Sequence, residues 1–414
     1  MPSSRPEGTS PDAVWIAIAI VLGLATLLWS WAALHTEHWQ RYELIDIGVY
    51  ERYGDAIVDG ELPYRDFGPE YPPLSLAVFV LPAAIVGAGA AEAEFGDTFE
   101  LTMLACGIAL VLVSAATLVS LGASPLRLCV ALGLVGATPL LLGSVILTRF
   151  DLWPALLTGA ALLGFVRGRG RVGSGLLGAA VAAKLYPLAL APVALAFVWR
   201  RKGRREAVWC AAVIAAVVAL CFAPFVALAP GGVVESLSKQ FERPLQVESL
   251  PAAAVVALGV DVEIDQSHGS QNIGGGIGEA AALGSTVALV AALAWVWTAA
   301  LRARGDREDL VRLAAAAVVA LVAFGKVLSP QFMIWLVPLV PLVGGRRGLP
   351  AAALFAVALG LTQVWFPGRY WDYALGLDRG VAAVVLARDL VLVALFALLA
   401  WPTRASDGEV TAQA

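Results

Sequence analysis

Apolar residues run through the chain in blocks of about 18 to 25, separated by short polar or basic stretches. That is the length a helix needs to cross a hydrocarbon core of roughly 30 Å, and it differs from the alternating decamers of an outer-membrane barrel. The first block, Ala13 to Leu34, is too long for the core of a signal peptide and is expected to remain as the first helix. Further spans are predicted near 207–229, 280–301, 313–328, 331–343, 349–366 and 380–401. Two stretches are harder to span in one pass. Residues 174–199 break at Lys184-Leu185-Tyr186-Pro187, which predicts a hairpin that dips in and returns. Residues 72–90 are interrupted by Pro82 and read as short or re-entrant. Broken helices persist in a bilayer only where the freed backbone meets protein or a wet cavity. The pattern therefore predicts an all-α polytopic membrane protein, a bundle of about 10 to 13 transmembrane or re-entrant helices opening on a cavity. Residues 13–401 form its single domain, between a disordered cytoplasmic N-terminus, 1–12, and a cytoplasmic tail, 402–414.

Composition turns this pattern into an exclusion. With 59% hydrophobic and only 14% charged residues, the chain is far from a soluble globular protein, of which roughly a quarter is charged. A net charge of −4 without a basic domain leaves no footprint for nucleic acid. Cys106, Cys129, Cys210 and Cys221 all lie in apolar segments, so neither a disulfide framework nor a thiolate metal site is indicated. The basic loops set the orientation: Arg167, Arg169 and Arg171; Arg200 to Arg205; Arg302, Arg304, Arg307 and Arg312; Arg346 and Arg347. The excess of Lys and Arg on cytoplasmic loops places these inside, which leaves the two long loops, 35–71 and 230–279, outside.

The first of those loops is rich in acids and aromatics. Ile45, Val49, Tyr53 and Ile57 recur every fourth residue, the apolar stripe of a helix on or near the membrane surface, and Asp46 and Tyr50 share an adjoining face. The plainest account of its acids is a solvated helix face. Gly60 and Pro63 end the helix, and Glu70-Tyr71-Pro72-Pro73 returns the chain to the membrane. Ionisable residues within apolar runs are a stronger signal, because a charge at the bilayer centre costs at least ~2.5 kcal/mol on insertion scales. Arg149 and Asp151 lie in LTRFDLWP, Lys184 in AAVAAKLYPLAL and Lys326 in VAFGKVLSPQF, and the topology brings Arg243 to them from the second loop. Two readings follow. In one, Arg149 pairs with Asp151 while Lys184 and Lys326 snorkel to the interface. In the other, Lys184, Lys326, Arg149 and Arg243 converge on a lipid phosphate. His268 has no partner at ligand spacing, GGGIG follows no strand, and no hydrolase or nucleotide-phosphate motif occurs.

Taken together, Asp46-Ile47-Gly48-Val49-Tyr50, GELPYRDFGPEYPPL, TRFD, AAKLYPLALAP, RPLQVESL, SQN and GKVLSPQFMIWLVP resemble glycosyltransferase family 87, the polyprenyl-phosphate-mannose-dependent mannosyltransferases of the multispanning GT-C architecture. The resemblance spans roughly residues 13 to 400. It implies a multi-pass plasma-membrane enzyme that moves mannose from a polyprenyl-phosphate donor to an envelope lipid or glycan on the extracytoplasmic side. It also implies that Asp46, early in the first outer loop, is the catalytic base. Tyr50, Asp66, Glu70, Tyr71, Asp151 and Gln331 are then candidates to support that base or to meet the acceptor. A phosphate leaving group held by side-chain cations has little need of a metal, so no cofactor is expected.

Two other functions fit buried charges and broken helices: a transporter or flippase of lipid-linked sugars, and a non-catalytic assembly partner of the same fold. Two large outer loops carrying acids and aromatics favour the enzyme. The orientation itself is testable by labelling introduced cysteines from outside intact cells. A cysteine at Ser238 is expected to react and one at Gly203 to be shielded; the opposite result reverses the topology.

Overall fold

A computed structural model describes residues 12–36 and 46–401. The expected N-terminal segment up to residue 11, Ile45 and the tail from 402 lie outside the described residues. Among the described residues seven helices are long and apolar enough to cross a membrane, and three shorter apolar helical stretches accompany them. The chain opens with the predicted first span, α1 (Ala13–Ala33). Next comes α2 (Ile47–Val58), whose N-cap position is Asp46. Pro63 and Gly60, the latter at φ +91°, end that helical path as expected. A short α3 (Ala77–Val86), with Pro82 inside it, leads to the long α4 (Glu92–Ser120).

Helix α2 does not lie loosely at an interface. It packs on α3, with Tyr50 buried and Val49, Tyr53 and Ile57 half-buried against the core. Gly54 makes the approach possible: a Cβ there would sit 2.9 Å from Cβ of Ala83 and closer still to the Phe79 carbonyl oxygen. A similar device joins α1 to α5 (Pro125–Leu142), where Gly136 faces the backbone of Gly23. Small residues let helix backbones touch where lipid supplies no hydrophobic drive between them.

The middle of the chain contains the breaks. A four-residue turn of helix, α6 (Val145–Thr148), precedes Arg149, and α7 (Leu152–Val166) starts directly after Asp151. Then α8 (Gly170–Ala183) and α9 (Ala191–Lys202) form a hairpin whose turn at Lys184–Leu190 is partly 3-10. Lys202 donates to the Gly168 carbonyl, so both feet of the hairpin stand at one end of the bundle. The same end gathers the other basic loops. Arg127 pairs with Glu308 at 2.6 Å, Arg307 donates to the Ser120 carbonyl at 3.1 Å, and Arg201 to that of Gly305 at 3.3 Å. Helix α10 (Arg204–Leu228) then runs to the far end.

There the second long loop is folded rather than open. It holds α11 (Pro230–Glu242), β1 (Leu245–Gln246), α12 (Leu250–Ala257) and a hairpin of β2 (Ile264–Ser267) and β3 (Ser270–Ile273). The small antiparallel sheet has the order β1-β3-β2. His268 and Gly269, both at positive φ, make the two-residue turn that hairpins favour. Contrary to the sequence expectation, GGGIG (Gly274–Gly278) does follow a strand, β3, and opens helix α13 (Gly275–Arg302); the strand pairs only antiparallel, so no dinucleotide-binding unit results. Helix α13 returns along the perimeter, and α14 (Arg307–Phe324) crosses the centre. Nearly every residue of α14 from Leu310 onward is buried, as expected for a helix apolar on all sides, whereas α10 and α13 show Leu220, Leu283, Val287 and Val290 to the outside. The segment expected as a helix at 331–343 is a series of 3-10 turns instead. Pro330, Pro338 and Pro341 lack the N–H that a continuous α-helix needs there. After α15 (Gly348–Trp365) and the short α16 (Tyr370–Ala374), α17 (Arg379–Ala400) closes the bundle.

Gly54 sets the seat of the helix that carries Asp46. Gly54→Ala should lower stability by about 1–3 kcal/mol, the usual cost of overpacking. Gly96→Ala on α4 is the comparison, since its added Cβ would meet only the Ile47 side chain at an ordinary 3.6 Å. Thermal melting of both variants in detergent checks this; equal melting temperatures would show that the α2–α3 contact is not tight.

Candidate active site

At the end opposite the basic loops, the breaks and the folded second loop enclose a cavity of about 460 Å³. Asp46 enters it from the start of α2, Glu70, Tyr71 and Pro72 from the returning first loop, and Arg149 from the α6–α7 junction. Lys184 and Tyr186 come from the hairpin break, Arg243, Gln246 and Glu248 from the second loop. Gln331 and Trp335 come from the 3-10 segment, and Tyr370 from α16. Asp46, Arg149, Lys184 and Tyr370 sit where a helix starts, stops or breaks, which is where side chains and backbone are free to face a wet space.

The ion pairs differ from those that sequence proximity suggests. Arg149, 8% exposed, pairs with Asp46 across the cavity wall rather than with Asp151. Asp151, 1% exposed, accepts from Lys184 Nζ at 2.5 Å and from Trp335 Nε1 at 2.6 Å through the same oxygen, Oδ1. Lys184 therefore does not snorkel. Its ammonium lies 4.4 Å from the Phe150 ring centroid and 5.4 Å from that of Trp335, and Trp335 stacks on Tyr186 at 4.4 Å. Tyr50 stands behind Asp46 and donates to its Oδ2 at 3.3 Å. Its ring is clasped by Phe79 at 4.4 Å and Phe150 at 5.7 Å.

Four expected site residues do not line the cavity: Tyr50 and Asp151 stand behind it, bonded to Asp46 and Lys184, and Lys326 and Asp66 have partners elsewhere. Lys326 follows α14 on the outer side of β1, where its ammonium donates to the Phe241 carbonyl at 2.9 Å and its own carbonyl accepts from Gln246 N. Its long side chain finds a backbone oxygen nearer than the cavity. Asp66 is exposed on the first loop; the Arg65 guanidinium and the Leu62 N–H hold its carboxyl down at about 2. Glu70 lines the rim, where Gln240 donates to its carbonyl at 2.8 Å, and Ser236 donates to that of Pro69 at 2.8 Å. These two bonds dock α11 on the first loop, so the two long loops close the cavity together.

Sequence patterns alone do not single out Trp335, Gln246, Glu248 or the pair Arg388 and Asp389 in the middle of α17. Glu248 is 1% exposed, and Arg388 and Asp389 are fully buried. Arg388 Nη2 donates to the Glu248 carbonyl at 2.8 Å, its Nε lies 2.6 Å from Asp389 Oδ1, and its guanidinium lies 5.7 Å from the Trp365 ring. A charged pair inside a membrane helix thus fixes the cavity floor from behind. The RPLQVESL motif carried the signal for Glu248, as an acid in an apolar stretch; VVLARDLVLV carried that for the pair. Among the described residues no three His, Cys, Asp or Glu side chains converge closely enough to hold a metal ion.

The family model for glycosyltransferase family 87 matches residues 70–330 of the chain. The chain belongs to glycosyltransferase family 87. No curated protein matches it. The matched stretch of this membrane glycosyltransferase contains Arg149, Lys184, Arg243, Gln246 and Glu248, and it begins after Asp46.

Burial pushes the Glu248 carboxyl from an ordinary 4.5 up to about 8, against the pull of Arg388, Arg149 and Arg243 and with a push from Asp389. The folded glycosyltransferase then binds more protons than the unfolded chain between about pH 4.5 and 8, so this residue's contribution to stability declines as pH rises through that window. Glu248→Gln removes the titration. The melting temperature of the variant relative to the parent should therefore rise between pH 5 and pH 9; a constant difference would mean that Glu248 titrates normally.

Proposed function

We propose that this membrane glycosyltransferase moves a sugar, mannose, from a polyprenyl-phosphate donor to an envelope lipid or glycan acceptor at the extracytoplasmic face of the plasma membrane, in a GT-C architecture. The observation that carries the proposal is the meeting of the Asp46 carboxylate with Arg149, Lys184 and Arg243 in a cavity bounded by broken membrane helices. Lys326 has no part in it. A single-step transfer needs a base for the acceptor hydroxyl and a positive environment for the departing phosphate. The residues at hand supply both from different elements.

In the proposed reaction the acceptor oxygen attacks the anomeric carbon as Asp46 takes its proton. The bond from that carbon to the phosphate oxygen breaks on the opposite side, and the electron pair leaves with polyprenyl phosphate. The configuration is inverted. Arg149, Arg243 and Lys184 hold the phosphate before and after departure. Arg149 acts twice, since it pairs with Asp46 when no donor is bound and an arriving phosphate competes for its guanidinium. Sharing that partner makes Asp46 a better proton acceptor when the donor is in place. The leaving phosphate is already anionic and needs no acid. The polyprenyl chain stays in the bilayer along the exposed apolar flank.

Asp46→Asn keeps the size of the side chain and its hydrogen bond with Tyr50 but removes the base. Transfer is expected to fall at least about a hundredfold, within the ~10²–10⁴ that base catalysis supplies, while the protein still binds donor. Asp66→Asn, at an exposed residue that does not line the cavity, should leave the rate within about twofold, as expected for a surface group. Single-turnover assays with radiolabelled lipid donor provide the check. An Asp46→Asn protein that kept more than about a tenth of the activity would move the base elsewhere; Glu70 on the cavity rim would be tested next. Intact donor carried across a membrane without transfer would mark a flippase instead.

A further inference from the structure

Two side chains that line the cavity each carry a buried oxygen atom that the protein itself does not use. Gln246 is 4% exposed and Glu248 1% exposed, and both line the cavity. The Gln246 amide N–H donates to one carboxyl oxygen of Glu248, which leaves the amide oxygen Oε1 and the second carboxyl oxygen Oε1. Among the described residues neither of these buried oxygens has a hydrogen-bond partner. Buried polar atoms are rarely left in that state, and each exception calls for a missing partner.

The two side chains stand on a well-held stretch of backbone. The backbone beneath them is tied on every side: Gln246 N to the Lys326 carbonyl at 2.9 Å, Val247 N to the Gln271 carbonyl at 3.0 Å, and the Val247 carbonyl to the Tyr373 hydroxyl at 2.5 Å. The Gln246 carbonyl accepts from Ser249 Oγ at 2.7 Å, and the Glu248 carbonyl from Arg388 at 2.8 Å. Such a frame presents acceptor oxygens at fixed positions. It is poor at receiving an anion, because an oxygen wall repels phosphate, and good at receiving hydroxyl groups.

We propose that Gln246 and Glu248 form the sugar subsite of the donor, their unused oxygens accepting hydrogen bonds from two hydroxyls of the hexose attached to the lipid phosphate. This assignment rests on the reading of the cavity as the site for a polyprenyl-phosphate sugar. Glu248 lies within electrostatic reach of both Arg149 and Arg243, so the group beside it is the one joined to the phosphate those arginines hold. The acceptor approaches from the Asp46 side. Burial favours the protonated form of the Glu248 carboxyl, which offers an O–H as well as an acceptor oxygen and suits a hydroxyl that both donates and accepts.

The test pairs each side chain with a single hydroxyl. Short-chain polyprenyl-phosphate-mannose and its monodeoxy analogues are titrated, without acceptor, into the full-length protein in nanodiscs. In the parent protein one deoxy analogue should bind on the order of ten- to a hundredfold more weakly, since the loss leaves a buried group unpaired. In Glu248→Ala the same analogue and the parent sugar should bind within about twofold of each other, and Glu248→Gln should restore the discrimination. Gln246→Met gives the same comparison for a second hydroxyl and stands in if Glu248→Ala does not fold. Losses from the side chain and from the hydroxyl that simply multiply, or no deoxy analogue that matters, would overturn the subsite and leave the donor reading intact. A parent protein that binds none of these lipids would overturn both.

Discussion

The buried carboxylate of Asp151 is the constraint on which the site depends. Through one oxygen it holds Lys184 and Trp335, and so ties the start of α7 to the break between α8 and α9 and to the 3-10 segment that follows α14. None of these three segments is a continuous helix at that level, and each has backbone groups that a lipid environment would not satisfy. Joined by a charge-assisted contact, they make a wall. Removing one partner of a buried pair typically costs about 3–5 kcal/mol, because the other charge is then stranded. The same pair steadies the wall that carries Arg149, two residues before Asp151, and so the place of its contact with Asp46.

A second buried charge, Arg388, does for the cavity floor what Asp151 does for this wall. It rises from the middle of a membrane helix to hold the Glu248 carbonyl, with Tyr373 holding the neighbouring Val247 carbonyl. The two long loops are therefore part of the bundle rather than appendages: one is seated by Gly54 on α3, the other by α17. Between them the cations of the cavity are held by different elements. That arrangement suits a site where phosphate departs while a proton is taken up a few ångströms away.

Much of this was legible in the sequence for physical reasons. Span lengths and basic loops follow from the thickness and asymmetry of a bilayer, and the all-helical architecture follows from them. Arg149, Asp151 and Lys184 announced themselves because a charge in an apolar run is costly and has to be used. What did not follow was who pairs with whom. Arg149 and Asp151 are two residues apart, yet each reaches across to another element. Lys326 looked like a fourth cation, but the nearest acceptor to its ammonium is the Phe241 carbonyl. Arg388 and Asp389 passed unnoticed because their opposite charges sit side by side in an otherwise apolar span. The strand IDQS lacks the apolar alternation that marks a sheet because β2 lies at the exposed edge, and SQNI lacks it because the buried positions of central β3 include Ser270 and Asn272, which hydrogen-bond to each other.

The choice of donor decides whether the cavity works as proposed. The purified protein in nanodiscs, given polyprenyl-phosphate-mannose or a nucleotide sugar together with total envelope lipids, can be followed by mass spectrometry for free polyprenyl phosphate and a glycosylated product. A cavity that binds a lipid phosphate through Arg149, Arg243 and Lys184 predicts that both products form from the lipid donor, in equal amounts, and that the nucleotide sugar is inert. Transfer from the nucleotide sugar, or consumption of neither donor, would contradict it.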